Sequence, residues 1–259
     1  VAGGQVSMKE QAATGHFYKL DLSDLKKGWQ ELATWPGEPR GYAVSAVQSD
    51  GFDKCFYLFS GRNYQADGTV KVLTDGFVYN PRMKSWKKLD RQFPVMAGTA
   101  LPTGINHILL FGGVPQLIPG SADHPGFDNR VRLYHTITNT LQEREISPYI
   151  LPVTTSIAKK DNAFYITSGE VKPGIRTPEI VQGEIIPFEK KLGFLNIAVI
   201  GIYFALLAWI GYYFSKRQKN TEDYFKGGGR LPWWAVGLSI FGTSLSAITF
   251  MSIPAKAYA

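Results

Sequence analysis

The sequence holds a single cysteine, Cys55 in the run KCFYLFSG. One cysteine excludes an internal disulfide, and this apolar, strand-like setting reads as a small buried hydrophobe rather than a reactive thiol. Cysteine usage therefore leaves the compartment open. Histidine is almost as scarce, with four residues. His16, His107 and His135 sit in strand-like runs and read as structural, whereas His124, in SADHPGFDN, lies in a loop that a site could use. A basic stripe interleaved with aromatics is missing as well. The formal net charge is +7, but many of the basic residues flank apolar segments. That placement more often sets membrane orientation than binds nucleic acid, so no nucleic-acid partner is expected. The chain opens VAGGQ, without initiator Met or signal peptide, and closes at Ala259 just past an apolar run. Both ends read as cut, and a longer protein is expected.

What is present changes character near residue 190. Before it, four short β-rich runs each end in a small residue and glycine: VAGG at Gly4, CFYLFSG at Gly61, HILLFGG at Gly113 and AFYITSG at Gly169. The intervals between these glycines are 57, 52 and 56 residues. After three of them comes a strand-like run with a tyrosine, Tyr18, Tyr79 or Tyr134, followed in turn by Trp29, Trp86 or Leu141. GYAVSAV, MAGTAL and VTTSIA precede the last three glycine motifs. The reading is a four-stranded antiparallel unit used repeatedly, its second strand ending at a glycine where the backbone packs closely, its aromatics filling the space between sheets. A period near 50 residues with these marks predicts a kelch β-propeller rather than an ordinary sandwich. About three and a half blades are visible, over residues 1–187.

In such a unit the residue entering the first strand and the residue leaving the second lie at one end. Arg40, Arg62, Asn63 and Glu170 fall at those positions, and the segments that follow, GRNYQADGTVKVLTD, GGVPQLIPGSADHPGFDNR and GEVKPGIRTPE, read as long loops. One mouth thus gathers Arg40, Arg62, Glu170 and Arg176. Arginines suit a carboxylate through bidentate hydrogen bonds, and a glutamate among them can take and return a proton. From spacing alone, a solvated charged rim with Glu170 and Arg176 bracing their own loop is the favoured reading.

The segments GEVKPGIRTPEI, PRGYAV and FSGRN resemble the kelch family of N-acetylneuraminate epimerases, or sialic acid mutarotases, in the cyclically permuted branch that carries Gly-Glu-x-Lys-Pro-Gly-x-Arg-Thr late in the domain. The resemblance implies anomer interconversion of a sialic acid, with Glu170 as proton acceptor, Arg40, Arg62 and Arg176 as carboxylate-binding candidates, and Asn63 beside them. It implies no organic cofactor.

Beyond residue 187 the chain turns apolar. Leu192 to Phe214 carries no charge over 23 residues. As a helix it would extend about 34 Å, against a bilayer core of about 30 Å. Trp209, Tyr212 and Tyr213 near its end suit the interface. Lys216, Arg217, Lys219, Lys226 and Arg230 follow it, while only Lys190 and Lys191 lie shortly before it. The bias places that loop in the cytoplasm and the propeller outside, which in a Gram-negative cell is the periplasm. A second apolar run, Trp233 to Ile253, is rich in serine, threonine and glycine. It suits either a closely packed helix or an unwound segment whose carbonyls coordinate a cation.

DYFKGGGRLPWWAVGLSIFGTSLSAITFMSIPAKAYA resembles the start of the sodium:solute symporter family, with one extra glycine in the loop before Arg230. The resemblance covers residues 192–259. It implies the first two transmembrane helices of an inverted-repeat sodium symporter, with Na⁺ as coupling ion held by carbonyls near Gly242 and Leu245, and Thr249 close to substrate. The combined expectation is an all-β kelch propeller over 1–187 followed by α-helical membrane segments over 188–259. It would act in sodium-coupled uptake of a sialic acid or related sugar acid whose anomers the propeller interconverts. The alternative is a propeller that only binds sugar or regulates the transporter.

Overall fold

The computed structural model describes residues 1–5, 7, 12–118, 124–186, 193–216 and 233–244. The chain divides after Ile185 into two compact units.

The first unit is all β. Strands β1 (Phe17–Leu20) and β2 (Trp29–Leu32) form a two-stranded sheet. β3 (Val44–Ser49), β4 (Lys54–Tyr64), β5 (Val70–Asn80) and β6 (Ser85–Leu89) form a four-stranded meander. β7 (Thr99–Thr103), β8 (His107–Gly113), β9 (Asp128–His135) and β10 (Thr140–Ile146) form a second one. β11 (Ile157–Lys160), β12 (Ala163–Lys172) and β13 (Ile175–Glu184) close the series with three strands. Every pairing is antiparallel and sequential, the arrangement of propeller blades. The period-two patterning that predicts these strands is plain in β3, where Val44, Ala46 and Gln48 are buried and the residues between them are not.

One apolar cluster fills each space between neighbouring sheets. Phe17, Trp35, Leu58, Phe77 and Tyr79 lie between the first and second. Tyr57, Phe59, Phe93, Leu110 and Tyr134 lie between the second and third, their rings in tilted and edge-on contacts. Leu101, Phe111, Leu151 and Ile166 join the third to the last. Trp86 packs edge-on against Phe17 and Trp35, and its indole N–H donates to the Ala33 carbonyl at 2.7 Å. Trp29 departs from the expected filling role and is 58% exposed. It shares the face of β1–β2 with Tyr18, opposite the face that presents Phe17 to the second sheet.

The second strand of the repeat does not stop at its glycine. β4 runs through Gly61 to Tyr64 and β12 through Gly169 to Lys172, each across a register shift at the glycine. The bulge rests on two successive left-handed residues, Ser60–Gly61, Gly112–Gly113 and Ser168–Gly169, with φ of the second residue of each pair between 117° and 133°. Two of the three expected long loops are therefore hairpins. β4 and β5 close through a turn at Gln65–Gly68, and β12 and β13 through Pro173–Gly174. The last strand begins at Ile175, directly after that turn. The third connection, between β8 and β9, includes residues 119–123, which lie outside the described residues.

At the entry to the first strand of three sheets sits another left-handed residue: Tyr42, Ala97 and Thr154. The Ala97 N–H donates to the Tyr42 carbonyl and the Thr154 N–H to the Ala97 carbonyl, both at 2.8 Å. A line of main-chain hydrogen bonds thus steps from sheet to sheet.

In the second unit, α1 spans Phe194–Ser215 and α2 spans Trp233–Ser244. Within α1, Phe194–Tyr213 has a mean hydropathy of 2.1 and no side chain buried, and it is the one helix among the described residues long and apolar enough to cross a membrane. The remainder of the second apolar run, beyond Ser244, lies outside the described residues, as do the preceding basic loop from Arg217 to Arg230 and the linker Pro187 to Lys191.

Candidate functional site

A cavity of about 730 Å³ opens at the end of the sheets marked by the bulges. The second sheet contributes Tyr42 and Arg62 to its wall. The last contributes Val153, Thr154, Glu170, Pro173 and Arg176, and among the described residues the third sheet with its loop contributes apolar side chains. The three bulges place Arg62, Val114 and Glu170 at equivalent points, each bridged through the backbone to the start of its own sheet at Gly41, Met96 and Val153.

Glu170 and Arg176 are directly opposed across the β12–β13 hairpin. The Glu170 carboxylate accepts a hydrogen bond from the Gly174 N–H at 2.5 Å, which ties it to the Pro173–Gly174 turn. Arg62 lies with its guanidinium carbon 4.2 Å from the Tyr42 ring centre and 5.7 Å from that of Tyr64. Its Nε is buried without a hydrogen-bond partner, so its cationic head is held by the rings rather than by a carboxylate. Of the residues expected at the mouth, Arg62, Glu170 and Arg176 are thus brought to one cavity.

Arg40 is not. Its side chain is fully buried beneath the bulge. It pairs with Asp75 at 2.9 Å, donates to the Ser60 carbonyl at 3.1 Å and lies 4.9 Å over the Phe77 ring. The expected carboxylate ligand is instead a brace of the scaffold, since its charge is already used inside the protein. Asn63 also turns away. Its side-chain oxygen accepts from the backbone N–H groups of Ala13, at 3.1 Å, and Tyr64, at 2.9 Å, and so fixes the neighbouring segment. His124 is buried, accepts from the Gly126 N–H at 3.0 Å and lines a smaller space of about 210 Å³ beside the main cavity.

Tyr42 and Thr154 are cavity residues that the sequence reading passed over. The signal was available in RGYAV and VTTS, since both follow the bridge residue at the position where the strand enters. Among the described residues no three of His, Cys, Asp and Glu converge to hold a metal. For the expected sodium site, Gly242 lies within α2 and is helical, so the unwinding considered for this run does not occur there. Leu245 and Thr249 lie outside the described residues.

Residues 6–121 match the family model of N-acetylneuraminate epimerase. Among curated proteins, the chain is 28% identical over 207 residues to an N-acetylneuraminate epimerase of Yersinia enterocolitica, an alignment covering 68% of this chain and 51% of that protein. It is also 64% identical over 66 residues to the sodium/sialic acid symporter SiaT of Proteus mirabilis, covering 26% of this chain and 13% of the symporter. A further sodium/sialic acid symporter, NanT of Aliivibrio fischeri, is 54% identical over 69 residues, covering 27% of this chain and 14% of that protein. The chain thus spans about half the length of the epimerase and about one seventh of the symporters. The solved structure of YjhT superimposes with a TM-score of 0.57 at 22% identity, covering 68% of this chain and 60% of that one. The fold is therefore all-β with successive antiparallel sheets of the kelch kind, and the sequence is similar both to epimerases and to symporters named for sialic acid.

Proposed function

We propose that the sheet unit binds a sialic acid, or a closely related sugar acid, in the cavity and interconverts its anomers. We further propose that the chain belongs to a sodium-coupled importer of the same sugar. The observation that carries the first part is the placement of Glu170, Arg176 and Arg62 on one cavity wall. Arg62 and Arg176 are the groups that would hold the ligand carboxylate, by bidentate hydrogen bonds. Glu170 takes the proton of the anomeric hydroxyl. The ring C–O bond breaks, and the ring oxygen takes up a proton from water, leaving an open-chain keto acid. Rotation next to the new carbonyl presents its other face. The ring hydroxyl then closes on that face, returning its proton to water, while the carbonyl oxygen recovers the proton from Glu170. A guanidinium beside the developing oxyanion lowers the barrier in both directions.

The second part is supported by the similarity to symporters and by the uncharged helix α1. On this reading α1 and the run from Trp233 are membrane spans in a lipid bilayer. Na⁺ is the coupling ion, and carbonyls near Gly242 and Leu245, with Thr249 near the sugar, serve transport. The excess of basic residues after α1 favours an inner-membrane protein with the sheets in the periplasm.

A binding-only sheet unit is the second reading, favoured by the hydrogen bond that ties Glu170 to its own turn. Anomer exchange of N-acetylneuraminate, followed by NMR with the full chain, separates the two. Catalysis predicts exchange above the spontaneous rate and a loss of about 10²–10⁴-fold in Glu170→Gln. Wild-type exchange at the spontaneous rate, with sugar still bound, establishes the binding-only reading. Sodium-independent sugar uptake by cells carrying the protein would remove the transport reading.

A further inference from the structure

The three left-handed residues that enter their sheets differ in what that conformation costs. Tyr42 has φ of 55°, Ala97 of 61° and Thr154 of 53°. A β-branched side chain tolerates the region least, because two heavy atoms on its Cβ crowd the main chain. Thr154 is held there by its N–H bond to the Ala97 carbonyl at 2.8 Å. Such strain persists where the side chain supplies something that glycine would not. For Tyr42 that is the ring beneath Arg62.

For Thr154 it is a hydroxyl. The residue is exposed and lines the cavity, and its Oγ1 makes no hydrogen bond among the described residues. Nearby hydroxyls are already engaged. Thr155 donates to the Thr167 carbonyl and Ser60 to the Leu73 carbonyl. Thr154 is also fixed relative to Glu170. Val153, the residue before it, exchanges two main-chain hydrogen bonds with Glu170, at 2.8 and 3.0 Å. Arg176 stands across the hairpin from Glu170. A hydroxyl without a partner is thus built into the wall next to the carboxylate.

We infer that Thr154 is a further ligand-contacting residue, its hydroxyl donating a hydrogen bond to the oxygen whose proton Glu170 takes. The inference rests on the reading of the cavity as a site of sugar-acid anomer exchange. That oxygen gains negative charge as its proton leaves and becomes the carbonyl oxygen when the ring opens. A donor already fixed by the scaffold stabilises it without reorienting. Thr154 keeps its own proton throughout, and Glu170 carries out the transfer.

The test uses the full chain, N-acetylneuraminate as probe and three substitutions. Thr154→Val deletes the hydroxyl and keeps the branched shape. Anomer exchange at saturating sugar, followed by NMR, should slow by about tenfold. Affinity by titration should weaken by about threefold or less, because the contact strengthens only as charge develops. Thr154→Ser should restore exchange to within about threefold of wild type, as expected for a residue that acts through its hydroxyl. Thr154→Gly should be as slow as Thr154→Val yet melt no lower than wild type, since glycine adopts the left-handed conformation freely. Slow exchange in a variant that has lost no stability separates ligand contact from a structural role. Wild-type exchange in Thr154→Val, or exchange in Thr154→Ser as slow as in Thr154→Val, would overturn the inference and leave the sugar-acid site standing. Exchange at the spontaneous rate in the wild type would remove the catalytic reading, and this inference with it.

Discussion

The Tyr42 ring underlies the Arg62 guanidinium, whose central carbon sits 4.2 Å from the ring centre. Tyr42 has φ of 55°, a left-handed conformation that a non-glycine residue holds only when its surroundings fix it. The ring positions the arginine. Tyr42→Phe keeps the cation–π contact and should leave sugar affinity within about twofold, while Tyr42→Ala should weaken it by about three- to tenfold, corresponding to roughly 1 kcal/mol. Titration of both variants at matched ionic strength checks this.

Arg40 should matter for stability rather than for ligand. Arg40→Met removes the ion pair with Asp75 and the hydrogen bonds to Ser60 and Glu38, and leaves Asp75 without its partner. Urea denaturation should show a loss of about 3 kcal/mol. Sugar affinity measured well below the transition should stay within about twofold of wild type.

Two glycines with positive φ should respond differently to alanine. A Cβ on Gly113 would lie 2.6 Å from the Cα of Val95, whereas one on Gly68 meets nothing within 4 Å. Gly68→Ala should cost about 1 kcal/mol, from backbone strain alone. Gly113→Ala should cost about 3 kcal/mol or more, because main chain must move. Thermal denaturation of the two variants side by side reads the difference.

Cys55 should not react in the folded protein. Its side chain is fully buried and its thiol is pushed up to about 12 by burial and then by Asp50, whose carboxylate accepts from it at 3.3 Å. The thiolate is the reactive form. Iodoacetamide near neutral pH should label Cys55 at the rate of global unfolding, and at full rate in denaturant.

The paired histidines predict acid sensitivity. The rings of His107 and His135 meet edge-on at 4.6 Å, and burial, His135 and Arg144 together hold His107 below its ordinary 6.5. The unfolded chain then takes up a proton at a higher pH than the folded one. Stability from this group is present above about pH 6.5 and is lost as pH falls below it. The melting temperature should drop between about pH 7.5 and pH 5.5, and His107→Asn should reduce the drop.

The repeat was legible because alternation and glycine marks survive in single strands. β4, β8 and β12 are apolar runs at a nearly constant distance, and each lies second in its sheet as the period predicts. The bulges were not legible. Nothing in FSGRN distinguishes a strand that stops at Gly61 from one that bends there and continues to Tyr64. That difference turns two loops into hairpins and brings Glu170 opposite Arg176. Arg40 was misplaced for a related reason. Spacing gives its position in the chain, but the left-handed turn at Tyr42 decides which side chain reaches the cavity. Trp29 shows the same limit, since period two tells that its face differs from that of Phe17 but not which face meets the next sheet.

The main-chain bonds from Ala97 to Tyr42 and from Thr154 to Ala97 hold the sheets at fixed separation around the mouth. They ask for a conformation, not for a side chain, and tyrosine, alanine and threonine already fill the three places. Residues facing the ligand can therefore be exchanged without altering the distance between sheets. The mouth is in this sense a rewritable surface on an unchanging frame. Selection for a different ligand would act first at Tyr42, Thr154, Arg62 and Glu170, and would leave the packed clusters between the sheets untouched.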